Sequence, residues 1–330
     1  MWGKIIRVIG TVCRTCLLIY TLLSFSSCIR DGSEECPLVD QSLKVSFTYT
    51  KDTHVYSGIH MNEIKKATLY IYDEADNYIT EWSLDNPVFN KEYETGLTLD
   101  PGIYNLVVWF NPEAPYQILS VTIPPEEEGK TCRSESKVML IVPGDGYIRD
   151  ILPPLLYGSG LNTEIKATAD NRLIIPMTLN NNIINLTVNG LPMNDHTYEF
   201  IISDNNGCYN FDNDFVTYDY FNYVATMQFP AFTKTVTSDT LNTSLTVLKL
   251  ARGRNVQIKL WDQTTDQQLY PAYDGQTDNL IDLILKANPD NDFEQTNIYD
   301  ITLDFNSDMT VEITINGWRI KESDNEIYPG

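Results

Sequence analysis

Short stretches in which apolar and polar residues alternate recur along most of the chain. From Leu43 to Thr50 every second residue is apolar, and the residues between are Lys, Ser or Thr. This period of two places one face of a β-strand in a core and the other in water. Similar stretches predict strands over residues 67–72, 78–84, 118–123, 137–142, 172–178, 183–188, 198–203, 208–211, 244–250, 255–261, 298–305 and 309–315. Residues 97–110 predict a strand, a tight Asp-Pro-Gly turn and then a buried strand.

Turn-forming residues separate many of these strands and predict hairpins. The turns lie at residues 73–77, 204–207, 251–254 and 306–308, and the asparagines at 180–182 predict another. Residues 280–285 fit either a strand or a short helix, and no long stripe of helical period occurs. Many short strands with tight turns are typical of β-sandwiches, so the sequence predicts an all-β fold with few helices.

A segment rich in glycine and proline divides the pattern into two halves. Residues 144–160 include Gly144, Gly146, Pro153, Pro154, Gly158 and Gly160. The segment is otherwise largely apolar, so it predicts a packed crossing between two domains, residues 43–150 and residues 151–330. Trp109 and Trp318 each end a predicted strand, and we expect both to be buried, one in each domain.

The first residues have the pattern of a bacterial export signal. Basic residues precede an apolar run at 16–25, which is too short to cross a bilayer as a helix. Ser26 and Ser27 then lead to Cys28, an ending that resembles the lipobox, whose cysteine is lipidated and becomes the first mature residue. The sequence predicts a lipoprotein signal peptide over 1–27, lipidation of Cys28, and a lipid-linked segment over 28–42. The alternative is an ordinary signal peptide with an unmodified Cys28.

The charge of the chain excludes one class of partner. Lys and Arg number 23 against 45 Asp and Glu, which gives a net charge of −22. Binding to phosphates needs a basic surface, so we expect no nucleic-acid partner. Anionic membrane surfaces repel such a chain, so membrane attachment depends on the lipid of Cys28.

Three cysteines remain beyond Cys28, and they leave the disulfide state open. They are Cys36, Cys132 and Cys208, whose spacing does not fit a zinc site. One disulfide is feasible outside the cytoplasm, and Cys36 with Cys132 is the better pair because both belong to the first half of the chain. Three unpaired thiols are an equal alternative.

Sequence patterns of enzymes and metal sites are absent from the mature chain. It has no G-x-S-x-G, H-E-x-x-H or C-x-x-C pattern and no glycine-rich phosphate loop. Acidic residues at 212–214 and 288–294 offer oxygen ligands for calcium, although turn formation explains both. The polar surroundings of His54, His60 and His196 predict surface positions, and Tyr209, Tyr218, Tyr220 and Tyr223 form either a sugar-stacking surface or core packing. We therefore expect no catalytic residue, no cofactor and no metal.

Several motifs, taken in order, resemble one family. They are Cys28, Asp31 and Cys36-Pro37, then residues 99–109 (LDPGIYNLVVW), residues 174–191 (IIPMTLNNNIINLTVNGL) and residues 299–320 (YDITLDFNSDMTVEITINGWRI). This series is similar to the FimB-type fimbrial anchor lipoproteins of the Bacteroidales. The acidic stretch with Asp31, Glu34 and Glu35 also resembles the surface-export signal of Bacteroidetes lipoproteins.

The resemblance implies both a fold and a function. The fold would be two tandem transthyretin-like β-sandwich domains. The protein would be a non-enzymatic subunit, anchored by lipid to the outer membrane, that holds a fimbrium on the cell surface and, as in some members of the family, limits its length. Its partners would be fimbrial shaft subunits and the outer membrane.

Strand addition is a physically reasonable contact for such a subunit, because an open sheet edge pairs with a strand of another chain. In shaft subunits of the superfamily an Arg-specific protease removes the first strand, whereas this chain has no Arg between Arg30 and Arg133. That absence suits an anchor that keeps its N-terminus. Residues 43–50 and 309–315 are the two candidate contact strands.

Two other functions share some of these features. A surface glycan-binding lipoprotein of a nutrient-uptake system would have the same lipid, charge and sandwiches, and exposed coplanar aromatic residues would distinguish it. A hydrolase on a β-sandwich would need paired carboxylates in a cleft.

Overall fold

The computed structural model describes residues 42–49, 63–88, 95–119, 132–167, 170–229, 240–272 and 277–320. Its strands are β1 Ser42–Thr48, β2 Lys66–Asp73, β3 Tyr78–Asp85, β4 Thr95–Thr98, β5 Gly102–Phe110, β6 Tyr116–Leu119, β7 Lys137–Leu140, β8 Tyr147–Ile148, β9 Leu156–Ile165, β10 Asn171–Leu179, β11 Asn181–Asn189, β12 Thr197–Asp204, β13 Cys208–Asn210, β14 Phe221–Gln228, β15 Leu241–Leu248, β16 Gln257–Asp262, β17 Gln267–Tyr270, β18 Asp278–Asn279, β19 Ile298–Phe305, β20 Val311–Ile315 and β21 Trp318–Arg319. A 3-10 turn spans Arg133–Glu135, and helix α1 spans Leu280–Ala287. The predicted all-β class is confirmed.

The first sandwich is a single sheet that folds over itself. The strand order is β3-β2-β5-β9-β10-β1-β4. Only the end of β10, Met177 to Leu179, pairs with β9, while the preceding part of β10 pairs in parallel with β1. The two halves of the sheet therefore face each other, and they enclose a core that includes Phe47, Leu106 and Ile175.

Two sequence features explain the fold between β9 and β10. Pro176 has no N–H to donate, and pairing with β9 stops beside it. Gly158 and Gly160 let β10 cross β9 closely, because a Cβ on Gly158 would lie 2.6 Å from the Met177 Sδ atom and one on Gly160 would lie 2.7 Å from a Leu173 methyl carbon. These glycines, part of the predicted junction, thus shape the corner of the first sandwich.

The second sandwich consists of two sheets. One has the order β15-β11-β19-β20-β21, and the other has the order β17-β16-β12-β14-β8, with β18 beside β16. Helix α1 begins where the Asn279 side chain accepts a hydrogen bond from the Ile281 N–H. It buries Leu280, Ile281, Leu283 and Ile284, a helical spacing, which decides between the two structures expected for this segment.

The predicted turn at residues 180–182 is wrong. β10 and β11 do not pair with each other, because the chain passes there from the first sandwich to the second. All three asparagines are buried. The Asn181 Oδ1 accepts from the Leu155 N–H at 2.6 Å, and the Asn182 Oδ1 accepts from the Leu250 N–H at 2.8 Å. The first sheet thus extends to residue 179, while the division into domains at 150/151 stays a prediction.

Two predicted hairpins are also wrong, and two are confirmed. β12 pairs with β14 and β16, whereas β13 pairs with β7. β15 and β16, on either side of residues 251–254, belong to opposite sheets. Turn residues show where a chain reverses, but they do not specify the partner of the next strand. The hairpins β2–β3 and β19–β20 form as predicted.

A small third sheet joins the two sandwiches. Its order is β13-β7-β6, and it lies over the outer face of the first sandwich. Trp109 is 0% exposed there, with its ring centroid 5.0 Å from that of Tyr157 and 6.1 Å from that of Phe211. The burial predicted for Trp109 is confirmed, and its cluster continues into the core of the second sandwich.

Candidate functional site

The first candidate contact strand, β1, has partners on both sides. It pairs in parallel with β10 along Leu43 to Thr48, and antiparallel with β4 along Ser42 to Val45. Its inward side chains are buried, and the ring of Phe47 meets that of Phe110 edge-on at 5.1 Å between centroids. Removing β1 would therefore open the core of the first sandwich, and most of the strand is not an available edge.

The second candidate, β20, is partly covered. It pairs with β19 along its whole length, and β21 covers its last two residues. The connection is a tight turn in which Asn316 and Gly317 have φ of 50° and 79°. These angles are those of a type I′ hairpin turn. The Ile320 N–H also donates to the Ile313 carbonyl at 2.9 Å, so in the described part of the chain only the start of β20 has an open side.

Trp318 corrects the sequence prediction, because its side chain is 63% exposed. It lies opposite Ile315, which is only 1% exposed, and therefore shares its face of the sheet. The predicted burial of Trp318 is therefore wrong, and the reason is that β21 is the outermost strand of its sheet. The hydrophobic core ends before it reaches β21. The alternation of apolar and polar residues along a strand does not show how many neighbouring strands of the sheet the core covers.

A groove at one side of the second sandwich is a third candidate. It lies between β14 and β15, strands of opposite sheets, and encloses about 290 Å³. Residues of three segments line it: Arg149, Asp150 and Ile151, then Val224, Ala225 and Thr226, then Ser244, Leu245 and Thr246. Ile151 is 83% exposed, the largest exposure among the described large apolar residues. The groove thus combines two strands with an unburied apolar side chain.

The backbone of β14 has an open side in this groove. β8 pairs with β14 only at Asn222 and Tyr223, and no described strand continues along that side from Val224 to Gln228. The Asn222 N–H donates to the Gly146 carbonyl at 2.9 Å, which fixes the direction of alternate backbone groups. The N–H and C=O of Val224 and Thr226 therefore point to this side. The parallel register with β8 uses the Val224 N–H, which faces the Ile148 carbonyl, so the Val224 C=O and both backbone groups of Thr226 are the ones that face the groove.

Sequence reasoning missed this groove, although one signal was available. β14 and β15 contain no charged residue and no proline, in a chain of which 21% is charged. Three strands at or next to other edges carry features that discourage strand pairing: β3 has Glu81 and Asp85, β17 leads into Pro271, and β20 has Glu312. The short edge strands β4, β6 and β13 are uncharged as well, so β14 and β15 differ from them in length, with eight residues each. The sequence shows that β14 and β15 are uncharged, but it does not show that these two strands lie next to each other at one side of the second sandwich.

The predicted lipidation site and one cysteine of the predicted disulfide lie outside the described residues. These are Cys28 and Cys36. Cys132 is half-buried, and the Ser134 hydroxyl lies 3.3 Å from its sulfur. Cys208 is buried, and burial raises the pKa of its thiol. The lipid on Cys28 and the pairing of Cys36 with Cys132 stay predictions.

The tyrosines predicted as a sugar-stacking surface do not lie on one surface. Tyr209 and Tyr223 are buried, and burial raises the pKa of both hydroxyls well above its ordinary value. The Tyr218 hydroxyl donates to the Leu140 carbonyl at 2.8 Å, while Tyr220 is 54% exposed. Packing is therefore the role of most of these residues.

The predicted calcium ligands form turns in the structure. The Asp212 and Asp214 N–H groups both donate to the Asn210 Oδ1. Asp212 also binds Arg133, which in turn binds Asp76, with 2.8 Å between its Nε and the Asp76 Oδ1. Within the described ranges no group of three or more His, Cys, Asp or Glu is arranged to hold a metal ion.

The one described histidine of the three lies beside an acidic side chain. His196 is half-buried, with its Nδ1 at 2.7 Å from the Asp262 Oδ2, while His54 and His60 lie outside the described residues. In the described segments, no helix is both long enough and apolar enough to span a bilayer.

Comparisons with known proteins are consistent with this architecture. The profile of one family, described as Fimbrillin-A associated anchor proteins Mfa1 and Mfa2, matches residues 33–324. The solved structure of the fimbrial anchor protein Mfa2 from Porphyromonas gingivalis is 21% identical with a TM-score of 0.62, and the match covers 85% of this chain and 99% of that one. No curated protein matches the chain in a sequence search.

Two structures from Bacteroides thetaiotaomicron are similar as well. One, provisionally described as polysaccharide binding, is 19% identical with a TM-score of 0.67, and the match covers 86% of this chain and 98% of that one. The other, provisionally described as an adhesin, is 17% identical with a TM-score of 0.64, covering 84% and 97%. At these identities the similarity shows a shared fold.

Proposed function

Because the chain belongs to the family of Fimbrillin-A associated anchor proteins, we propose that it is a lipid-anchored, non-enzymatic fimbrial subunit that attaches a fimbrium to the outer membrane. One observation carries the proposal: the family match spans residues 33–324 and begins shortly after Cys28. The region before the match has the pattern of a lipoprotein signal. The chain would therefore hold the membrane through its N-terminus and the polymer through its sandwiches.

The proposal includes a role in limiting the length of the fimbrium. A subunit that is fixed in the membrane and accepts one neighbour occupies the base of the polymer. In this role, a higher ratio of anchor to shaft subunits gives more and shorter fimbriae. Strand addition is the proposed contact, because backbone pairing joins subunits without a chemical reaction.

Glycan binding is the weaker alternative. Two of the four tyrosines that would form a stacking surface are buried in the core. The similar Bacteroides thetaiotaomicron structure described as polysaccharide binding supports the shared fold and does not transfer a ligand.

The anchor function is tested by removing the lipid site in fimbriated cells. In Cys28→Ala, and in a variant whose residues 1–28 are replaced by a secretory signal cleaved without lipidation, we expect fimbriae to be shed into the medium. Acyl chains contribute about 0.8 kcal/mol for each buried CH₂, and an acidic chain has no comparable membrane contact. Detergent-phase partitioning and the ratio of cell-bound to shed fimbriae are measured.

Cys132→Ser is the matched control, because it removes a cysteine sulfur, whether a thiol or paired with Cys36, without touching the predicted signal. It should retain both lipid and fimbriae. Unchanged partitioning of both Cys28 variants contradicts lipid anchoring. Loss of the lipid with fimbriae still bound to cells contradicts the anchor function.

A further inference from the structure

The open side of β14 is continuous with a position that a strand of the same chain already occupies. β8 pairs in parallel with Asn222 and Tyr223 and ends at Ile148, and Arg149, Asp150 and Ile151 then line the groove. The remainder of the edge, from Val224 to Gln228, has no strand beside it among the described residues. The sheet therefore accepts a neighbour on this side, and among the described residues no second strand pairs with β14 in line with β8.

The backbone chemistry of the groove identifies its occupant as an extended polypeptide. The Val224 C=O and the Thr226 N–H and C=O point into the groove from β14. On the opposite wall the Leu248 N–H donates to the Tyr223 hydroxyl, away from β11, so alternation directs the Ser244 and Thr246 backbone groups towards the groove as well. Alternating donors and acceptors on a strand edge are complementary to another strand.

The side chains around the groove favour the same occupant. Those of Ala225, Thr226, Ser244 and Thr246 are small, so they leave space for a backbone to approach. Ile151 is exposed at the lining of the groove and offers an apolar contact to one side chain of the incoming strand. β14 and β15 carry none of the charges by which natural edges repel strands.

We propose that an extended segment of a neighbouring fimbrial subunit docks in this groove, pairing with β14 from Val224 to Gln228 and placing an apolar side chain against Ile151. The proposal rests on the proposed function for the identity of the partner. It locates the subunit contact in the second sandwich, whereas the sequence indicated β1 and β20.

The test uses the full-length lipidated chain in fimbriated cells, with retained fimbriae as the readout. Thr226→Pro removes an outward N–H that the folded sheet does not use, and places a ring where the incoming strand would lie. Thr226→Ala shortens the same side chain and keeps the donor. We expect Thr226→Pro to lower the ratio of bound to shed fimbriae about tenfold or more, and Thr226→Ala to change it less than about twofold.

A second measurement does not depend on the folding of the proline variant. A photo-crosslinking amino acid at Thr226 should capture a fimbrial subunit, whereas the same amino acid at Glu312 on β20 should not. Thr226→Lys, an exposed edge charge, should also lower retention while circular dichroism shows an unchanged fold.

The outcomes separate this inference from the anchor function. A folded Thr226→Pro variant that retains fimbriae at the wild-type level overturns the location and leaves the anchor function standing. Crosslinks to a second copy of this chain, in place of a fimbrial subunit, overturn the stated occupant. If the wild-type chain itself retains no fimbriae, the proposed function fails, and this inference fails with it.

Discussion

Replacing Trp109 with Ala should destabilise the protein far more than the same replacement at Trp318. Trp109 is fully buried against Tyr157, Tyr209 and Phe211. A buried aromatic side chain covers roughly 150–250 Å², which at about 25 cal/mol per Å² corresponds to roughly 4–6 kcal/mol. Measured losses for Trp→Ala in cores are about 3–5 kcal/mol.

One feature of the site reduces the expected loss. The Trp109 Nε1 is buried and has no hydrogen-bond partner within the described structure. A buried donor without a partner costs about 1–3 kcal/mol, and the Ala variant is relieved of that cost. We therefore expect Trp109→Ala to lower the free energy of unfolding by about 3 kcal/mol, and Trp109→Phe, which keeps a ring and loses the orphan donor, by about 1 kcal/mol.

Urea unfolding of the soluble form lacking residues 1–28, followed by circular dichroism, measures these differences. Trp318→Ala is the matched control, because Trp318 is mostly exposed on a two-residue edge strand. Its effect should stay within about 0.5 kcal/mol. If the two Ala variants lose similar stability, the described position of one of the tryptophans is incorrect.

Two further predictions concern the corner of the first sandwich and the link between the sandwiches. Gly158→Ala should cost about 1–3 kcal/mol in urea unfolding, because its Cβ would lie 2.6 Å from the Met177 Sδ atom, whereas Gly144→Ala, with no atom within 4 Å of its Cβ, should be nearly neutral; equal effects would contradict the close crossing. The Arg133 guanidinium holds the pKa of Asp76 below its ordinary value, so this pair stabilises the fold above the unfolded pKa of Asp, and the contribution is lost as the pH falls through the folded pKa. Arg133→Met should cost about 1 kcal/mol at neutral pH and weaken the acid dependence of stability, and an unchanged acid slope would contradict the assignment.

The sequence predicts local structure well here because local structure depends on short-range patterns. The alternation in β1 gives the correct buried face, and the turn at residues 73–77 gives the correct hairpin, since both ends of that hairpin are neighbours in the chain. The asparagines at 180–182 failed as a turn signal. Each of the three is buried and makes side-chain hydrogen bonds with distant segments, and no local pattern reveals such partners.

The candidate site was less predictable than the fold. The two candidate contact strands predicted from the sequence, β1 and β20, are strands in the structure and turn the expected faces towards the core. Whether a strand lies at the edge of a sheet depends on whether another strand pairs with its free side. β1 is enclosed by β10 and β4, both of which are distant in sequence. The side of β14 is open because β8 ends after two residues. The residues of β1 do not indicate that β10 and β4 pair with it, and the residues of β14 do not indicate that β8 is short.

The enclosure of β1 fits the proposed anchor better than an open β1 would. In that role the lipid lies just before β1 in the chain. A pulling force between the membrane and the polymer therefore acts on the folded protein first at β1. β1 is held by β10 from Leu43 to Thr48 and by β4 over its first half, and Leu43, Val45 and Phe47 lie in the core. A load on the N-terminus is therefore opposed by two ladders and by apolar burial together. Placing the polymer contact in the second sandwich leaves those ladders intact, because the strand that bears the load is then not the strand exchanged with a neighbour.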